Sequence, residues 1–248
     1  MGLHFNGTEI PEDGKVIFNG TECEKVVMNG TTVWEAYSYI GPSSPVTISS
    51  SSNLVAGVDF PYGKELTICM CGGGGSGGVG KAVEGNKAGG GHRGQVLSNQ
   101  KVTLAKNEVV AITIGSGGAK VYCVGCTKNG RAGGATKFGI HFTANGGAGG
   151  NGTTGSHLGT GGDYNSPCAG TYHDGDYVRY DIGSTVAKYI YAYGGEAGAF
   201  GHGGNARAYN DAYAGGIGAG GGGVTHSGGG GEESGAGGRG QIVISWSN

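Results

Sequence analysis

Runs of glycine limit what this chain can fold into more than any other feature of its sequence. Of the 248 residues 61 are glycine, and only eight of these precede residue 72. Glycine adds no apolar surface and loses the most backbone entropy on ordering, so a segment built from it cannot form an ordinary side-chain core. The clearest runs are 72–75, 89–91, 146–150 (interrupted by one alanine), 220–223 and 228–231.

Charge and proline content exclude several classes of glycine-rich protein. The 16 basic and 18 acidic side chains give a net charge of −2, which is unlike a highly charged disordered chain or a nucleic-acid-binding protein. Five prolines and no strict glycine period exclude collagen. No window is apolar enough for a membrane span, and the first residues do not resemble a signal peptide. We therefore expect no nucleic-acid partner and assembly in a cytoplasm.

The glycine runs alternate with inserts of 10–25 residues that carry tyrosine, phenylalanine, isoleucine and histidine. A threefold extended helix has no internal hydrogen bonds, and without side chains several such helices can pack together and bond to one another in all directions. We expect packed polyglycine II helices, with the inserts as loops at the ends of the bundle. Flexible linkers and a glycine-rich β-structure are the alternatives.

The segment 3–35 contains a degenerate repeat in which Asn-Gly-Thr stands beside short apolar runs. The triplets begin at Asn6, Asn19 and Asn29. Asn-Gly favours the two-residue turn of a β-hairpin, so we predict a meander of about four short strands that serves in attachment or oligomerisation. The same triplets match the N-glycosylation sequon, but turn formation explains their placement better.

β-Branched runs of four to eight residues predict further strands at 46–48, 64–71, 101–104, 109–115 and 241–246. No segment shows a sustained helical period. The predicted fold class is mainly β with glycine-rich irregular structure and almost no α-helix. The predicted domains are a meander module at 1–40, a β-rich base with the first glycine tracts at 41–126, and a polyglycine II-type domain with variable loops at 127–248. The first and last strands of the body should pair as its base.

Six cysteines allow three alternatives. Cys69 and Cys71 form one close pair and Cys123 and Cys126 another, so a four-thiolate zinc or iron site is conceivable. Reduced structural thiols and disulfides are the other two readings. We expect no cofactor, and this metal site is the weakest of the alternatives.

Several glycine motifs resemble those of bacteriophage tail-fibre proteins. They are Ile112–Gly118, Gly134–Gly139 followed by 142–147, and Gly235–Ile244. The overall plan is similar to the distal tail-fibre adhesins of T-even-like phages, in which glycine motifs stack as a polyglycine II sandwich that presents receptor-binding loops. The resemblance implies a virion protein at a tail or fibre tip. Its implied partners are other tail or fibre proteins and a host surface receptor, either an outer-membrane protein or a polysaccharide.

Nine of the 13 tyrosines lie between residues 164 and 213, where polar side chains accompany them. Tyrosine offers a large, rigid contact area and a polar tip, which suits recognition loops, although some of these rings will pack over glycine backbone instead. The predicted receptor-binding residues are Tyr164, Tyr172, His173, Asp174, Tyr177, Arg179, Tyr209, Asn210, Asp211 and Tyr213.

No catalytic motif accompanies these residues, so we do not expect an enzyme. A receptor-binding adhesin is the leading hypothesis. A structural virion or fibre protein without receptor contact, and an ice-binding or silk-like protein, are the alternatives. The chain could be a homotrimer or a single cap on a trimeric fibre.

Overall fold

All regular secondary structure in the described residues is β-strand. The computed structural model describes residues 3–5, 8–10, 16–18, 21–23, 25–28, 31–35, 39–81, 87–152, 177–181, 188–192, 195, 197, 200–204, 207–208, 211–226 and 231–247. The predicted mainly β fold without α-helix is confirmed for this part of the chain. Among the same residues, no helix could cross a membrane.

The N-terminal repeat forms three separate two-stranded hairpins in its described residues. The register pairs Phe5 with Thr8, Phe18 with Thr21 and Met28 with Thr31, so each connection has room for only the two Asn-Gly residues. The predicted Asn-Gly connections are confirmed, but the predicted single meander of about four strands is wrong, because the six strands form three separate two-stranded sheets. They are β1 (Leu3–Phe5), β2 (Thr8–Ile10), β3 (Val16–Phe18), β4 (Thr21–Cys23), β5 (Lys25–Met28) and β6 (Thr31–Glu35).

Two four-stranded antiparallel sheets pack face to face as a sandwich. The first has the order β12-β9-β22-β7 and the second the order β16-β15-β13-β8. Strand β22 near the C-terminus lies between β7 and β9, as expected for a base closed by the first and last strands of the body. The strands are β7 (Val46–Ile48), β8 (Ser52–Val55), β9 (Glu65–Cys71), β12 (Val96–Thr103), β13 (Val109–Thr113), β15 (Thr136–Phe138), β16 (Phe142–Ala144) and β22 (Gln241–Ser245).

The sandwich has a conventional apolar core because its strands alternate between inward and outward side chains. In β13, for example, Val110 and Ile112 are buried while Val109, Ala111 and Thr113 are exposed. Phe138 is fully buried, and its ring lies 6.3 Å from that of Phe60 and 6.4 Å from that of Phe142. The core also contains Ile48, Leu66, Ile68, Met70, Leu104, Ile242 and Ile244.

Six glycine segments continue strands of the sandwich, all at the same end: 72–79 after β9, 89–95 before β12, 115–121 after β13, 128–135 before β15, 145–152 after β16 and 234–240 before β22. The segment that begins at Gly72 continues β9, and it is surrounded by other extended segments. We call the set of these segments the glycine bundle. At about 3.1 Å per residue, the eight residues 72–79 span roughly 25 Å. The bundle consists of 72–79, 89–95, 115–121, 128–135, 145–152, 201–204, 211–216, 218–224 and 234–240.

The backbone of 72–79 bonds to its neighbours with a period of three. Residues 72, 75 and 78 donate their amides to carbonyls of the segment 89–95; residues 73, 76 and 79 donate to 128–134; and residues 74 and 77 donate to 235–238. The carbonyls of 73 to 76 and of 78 accept from three further segments, 145–152, 115–121 and 218–224. Six neighbours around one threefold chain are the arrangement expected of packed polyglycine II helices.

Beyond the far end of the bundle the segments continue into short strands. Three parallel strands, β10, β20 and β19, form one sheet; β11, β18 and β17 form a second; β14 and β21 pair antiparallel. We call this end of the molecule the far end. Its strands are β10 (Val79–Lys81), β11 (Lys87–Ala88), β14 (Tyr122–Val124), β17 (Tyr177–Asp181), β18 (Lys188–Ala192), β19 (Arg207–Ala208), β20 (Val224–His226) and β21 (Gly231–Glu233).

Candidate functional site

A small apolar cluster closes the far end. Val79, Val121, Cys123 and Val224 are buried there, and they come from three segments of the chain. Val79 and Lys128 exchange two backbone hydrogen bonds of 2.8 and 2.9 Å. The glycine bundle is therefore fixed at both ends by side-chain cores, one in the sandwich and one at the far end.

The long insert after residue 152 begins at this far end. The amide of Gly152 donates to the side-chain oxygen of Asn129 at 2.9 Å, which ties the start of the insert to the neighbouring segment. Further along the insert, β17 pairs with β18. Strand β18 in turn pairs in parallel with β11 at the far end. The start of the insert and the strands β17 and β18 of the tyrosine-rich region thus lie at the end of the molecule remote from the sandwich, whereas Ala197 and Phe200 pack against Cys71 and Val96 beside the sandwich.

The predicted receptor-binding residues fall into three groups. Tyr177 and Arg179 lie on β17, opposite Ala192 and Ile190 of β18. Asp211 and Tyr213 lie in the described segment 211–216. Outside the described residues lie Tyr164, Tyr172, His173, Asp174, Tyr209 and Asn210.

Asp211 and Tyr213 border the strand β21. The Asp211 carboxylate accepts a 2.8 Å hydrogen bond from the amide of Glu233, and the amide of Ala212 donates to the Glu233 carbonyl at 2.9 Å. The carbonyl of Tyr213 accepts from Gly222 inside the bundle, whereas half of the Tyr213 residue surface is exposed. The backbone is thus anchored, and about half of the residue surface is exposed to solvent.

A second exposed aromatic group lies on the other side of β21. Tyr122 and Val124 of β14 are 53% and 54% exposed, and Cys123 between them points into the apolar cluster. Lys120 forms an ion pair with Glu233, whose carboxylate raises the pKa of the lysine through a hydrogen bond and its charge. The surface formed by Lys120, Tyr122, Val124, Asp211, Tyr213 and Glu233 is called the side surface below.

Sequence reasoning missed the β14 half of the side surface. Tyr122 lies outside the tyrosine-rich region of the sequence. Its exposure follows from the pairing of β14 with β21, in which Cys123 lies opposite Glu232, 109 residues further along the chain. The alternation Tyr-Cys-Val of an antiparallel strand was the available signal, because it places the residues on either side of a buried cysteine outward.

The cysteines do not form a four-thiolate site in the described residues. Cys123 and Cys126 are joined by a disulfide, so neither sulfur is free to bind a metal. Cys69 is also disulfide-bonded. Cys71 is a buried free thiol, and burial raises its pKa to about 12, although a backbone hydrogen bond with Gln241 acts in the opposite direction. No group of three or more metal-binding side chains occurs in the part of the chain described above.

These features define a class of protein in which a β-sandwich carries a bundle of glycine-rich segments. Residues 50–247 match the family described as Glycine-rich domain, so the chain belongs to this glycine-rich domain family. The match leaves out the N-terminal hairpins. No curated protein matches the chain.

Proposed function

We propose that the chain is a receptor-binding adhesin at the tip of a phage tail or tail fibre. In this proposal the inserts and the side surface bind a receptor on the host bacterium, and the sandwich faces the particle. The protein acts by binding, not by catalysis. The observation that carries the proposal is that the start of the long insert and the strands β17 and β18 of the tyrosine-rich region lie at the far end, separated from the sandwich by the length of the glycine bundle.

Rigid anchoring of the inserts supports this proposal. Recognition loops are generally long, tyrosine-rich and mounted on a stiff scaffold, because ordering a loop in advance reduces the entropy lost on binding. The bundle meets this requirement mainly through backbone hydrogen bonds, which do not depend on the side chains of the inserts. A scaffold of this kind separates the residues that give stability from those that give specificity.

The side surface supplies the described part of the proposed contact. Tyr122 and Tyr213 lie on segments that flank β21, and the charges between them are paired, Lys120 with Glu233. Half-exposed aromatic side chains are the residues that most often dominate binding energy at interfaces. Their placement beside the root of the inserts makes them the first positions to test.

The test is adsorption of the purified full-length chain to intact bacteria. A fluorescently labelled chain is expected to bind cells of a host strain and to compete with adsorption of the phage that carries it. The double variant Tyr122→Ala, Tyr213→Ala should bind at least tenfold more weakly, and its melting temperature should stay close to that of the parent protein. Thr143→Ala, an exposed change on β16 of the sandwich, is the control and should bind normally.

One result would overturn the proposal, and another would overturn the role of the side surface in it. If the folded chain binds none of the strains that the phage infects, the chain is a structural virion protein without receptor contact. If the double variant and Thr143→Ala both bind as well as the parent protein, the side surface does not contribute to the contact.

A further inference from the structure

A disulfide bond lies within the side surface. It joins Cys123 of β14 to Cys126, three residues further along the chain. On β14, Cys123 stands between Tyr122 and Val124, the two exposed residues that this strand contributes to the side surface. Receptor binding as proposed above does not use this bond, although the bond closes the loop next to half of the side surface.

The two cysteines of this bond differ in their surroundings. Cys123 is 3% exposed and packs with valines in the apolar cluster of the far end, whereas Cys126 is exposed to solvent. A thiol at Cys123 can remain buried, because a free cysteine packs as a small apolar side chain. Breaking the bond therefore releases Cys126 and leaves the apolar cluster in place.

Strand β14 depends on few other contacts to keep its position. In the described part of the chain it pairs with β21 alone, over the three residue pairs from Tyr122–Glu233 to Val124–Gly231. Two-stranded ribbons are marginally stable in water unless something else holds them. A covalent bond at the end of β14 is therefore well placed to decide how firmly the strand is held.

The disulfide ties the end of β14 to the returning chain. Gly125 has a φ of 63°, a left-handed conformation that suits glycine and reverses the chain directly after Val124. Beyond Cys126, Lys128 exchanges backbone hydrogen bonds with Val79 of the bundle. The Cα atoms of the two cysteines are 5.7 Å apart, within the range of about 4.4–6.8 Å that is usual for disulfides, so closing the bond requires no displacement of β14.

We propose that the Cys123–Cys126 disulfide is a thiol-sensitive lock on the side surface. When the bond is closed, the end of β14 is fixed and Tyr122 and Val124 keep their places beside β21. When the bond is open, the strand end loosens and this half of the surface is no longer held ready for contact. A chain in a reducing cytoplasm carries the open form, and the lock closes in an oxidising medium. Its role in receptor binding rests on the proposed function.

Opening the lock is a two-electron reduction by a low-molecular-weight thiol. The thiolate of the reductant attacks the sulfur of the exposed Cys126, the S–S bond breaks, and the Cys123 sulfur leaves as a thiolate that takes up a proton. A second thiol then displaces the first from Cys126, which gives two protein thiols and one small disulfide. The reverse reaction, with a small disulfide such as oxidised glutathione as the oxidant, closes the lock again.

Other contacts limit the effect of opening the lock. The ion pair of Lys120 with Glu233 and the hydrogen bond from the Glu233 amide to Asp211 do not involve the disulfide. They hold β21 and the start of β14, so reduction should loosen the end of the strand without unfolding the far end. The expected result is a local change in dynamics with a nearly unchanged melting temperature.

The first experiment measures amide hydrogen exchange of the full-length chain with and without dithiothreitol. Reduction is expected to speed exchange in residues 122–126 by about tenfold or more, whereas exchange in β13 of the sandwich should stay unchanged. Cys126→Ser, which keeps the lock open, should exchange like the reduced parent protein under both conditions. Oxidised glutathione should restore slow exchange in the reduced parent protein.

The Cys126→Ser variant also separates this bond from the disulfide of Cys69, which dithiothreitol can reduce as well. Equal exchange in residues 122–126 of the reduced and the oxidised parent protein would overturn the proposal. A Cys126→Ser variant in which the same residues still respond to dithiothreitol would also overturn it, because the effect would then come from the other disulfide.

The second experiment measures adsorption to host bacteria, with the reduced chain freed of dithiothreitol and kept without oxygen. The oxidised parent protein is expected to bind about fivefold more tightly, or better, than the reduced parent protein or Cys126→Ser, because an ordered surface loses less entropy on binding. Cys71→Ala, which removes the buried free thiol, should respond to reduction as the parent protein does.

Equal adsorption of the oxidised and reduced chains would overturn the control of binding by the lock. If neither form adsorbs to host cells, the proposed function itself fails. The exchange rates of residues 122–126 then still decide whether the disulfide holds β14 in place, since that measurement does not require a receptor.

Discussion

The sandwich and the bundle are packed in different ways. In the sandwich, the side chains of Phe60 and Phe138 fill the space between two sheets. In the bundle, the Ala219 carbonyl occupies the space that a side chain at Gly74 would need. A Cβ built on Gly74 would come well within 3.0 Å of that carbonyl, and the same holds for most glycines of the bundle. The sandwich is thus stabilised by apolar burial and the bundle by closely spaced backbone hydrogen bonds. Truncating a buried side chain should therefore destabilise the sandwich, and adding a side chain at a glycine should destabilise the bundle.

The bundle nevertheless accepts side chains at defined positions. In the segment 145–152, Asn145 and Ala148 are exposed, whereas Gly147 and Gly150 are buried. In the central segment 72–78, which has six neighbours, Ser76 is the one residue other than glycine, and its hydroxyl accepts from the amide of Arg131 at 2.8 Å. Asn145 and Ala148 therefore lie where their segment faces solvent, whereas Ser76 is buried and its hydroxyl forms a hydrogen bond inside the bundle.

The largest effect is expected for a branched side chain inside the bundle. A Cβ at Gly147 would meet the carbonyls of His92 and Arg93, which cannot rotate away as side chains can. Gly147→Val should cost well above the roughly 3 kcal/mol typical of overpacked cores and unfold the bundle. Gly221→Val, facing the Gly235 carbonyl, should behave alike. Scanning calorimetry measures both.

The control for this prediction is the neighbouring residue. Ala148 is exposed in the same segment, so Ala148→Val should change the unfolding free energy by no more than about 0.5 kcal/mol. Equal melting temperatures for the Gly147 and Ala148 variants would show that the bundle is not close-packed.

In the sandwich the damaging change is the loss of a large side chain. Phe138 is fully buried among other rings, and Phe138→Ala should cost about 3–5 kcal/mol because it leaves a cavity. Thr113→Ala, exposed on the same sheet, should cost less than about 0.5 kcal/mol. Urea unfolding measures the pair. A Phe138→Ala protein as stable as Thr113→Ala would mean that the sandwich core is dispensable.

Cys71 lies where the two regions meet, and its burial makes stability depend on alkaline pH. The pKa is about 12 when folded, against an ordinary value of 9.0, so the unfolded chain loses this proton first. The contribution is complete below pH 9 and falls by about 1.4 kcal/mol per pH unit between pH 9 and 12. Between pH 9 and 12 the unfolding free energy of the parent protein should fall with this additional slope, and that of Cys71→Ala should not. Parallel plots of unfolding free energy against pH for the two proteins would refute the prediction.

The smallest effect is expected for Glu108 at the sandwich end. Hydrogen bonds from Ala105 and then His141 lower the pKa of this carboxyl. Its stabilisation is therefore present above the ordinary carboxyl pKa and is lost as pH falls through the lowered value. Glu108→Gln should cost less than about 1 kcal/mol at pH 7, since the pair is partly exposed, and nothing at pH 2. Thermal unfolding at the two pH values tests this, and a difference that persists in acid would contradict it.

The strands of the sandwich were largely predictable from sequence, because β-branched runs bounded by glycine define β9, β13 and β22. Strands β15 and β16 were missed as sandwich strands, since Thr136–Phe138 and Phe142–Ala144 are short and embedded in glycine motifs. Glycine runs predicted packing of threefold segments but not which segments are neighbours, because segments without side chains carry no distinguishing surface. Asp211 and Tyr213 were predicted for the candidate site, but Tyr122 was not, because the pairing of β14 with β21 could not be predicted from the sequence.

The threefold bonding of the central segment has a mechanical consequence. A pull between the far end and the sandwich runs along the covalent chains of the bundle, and the hydrogen bonds between segments lie across that direction. Such bonds are loaded together in shear, whereas a pull across a sheet would open them one at a time. Because the bonds of 72–79 point to six neighbours, tension on one segment spreads to the whole cross-section, and the bundle should resist stretching far better than peeling.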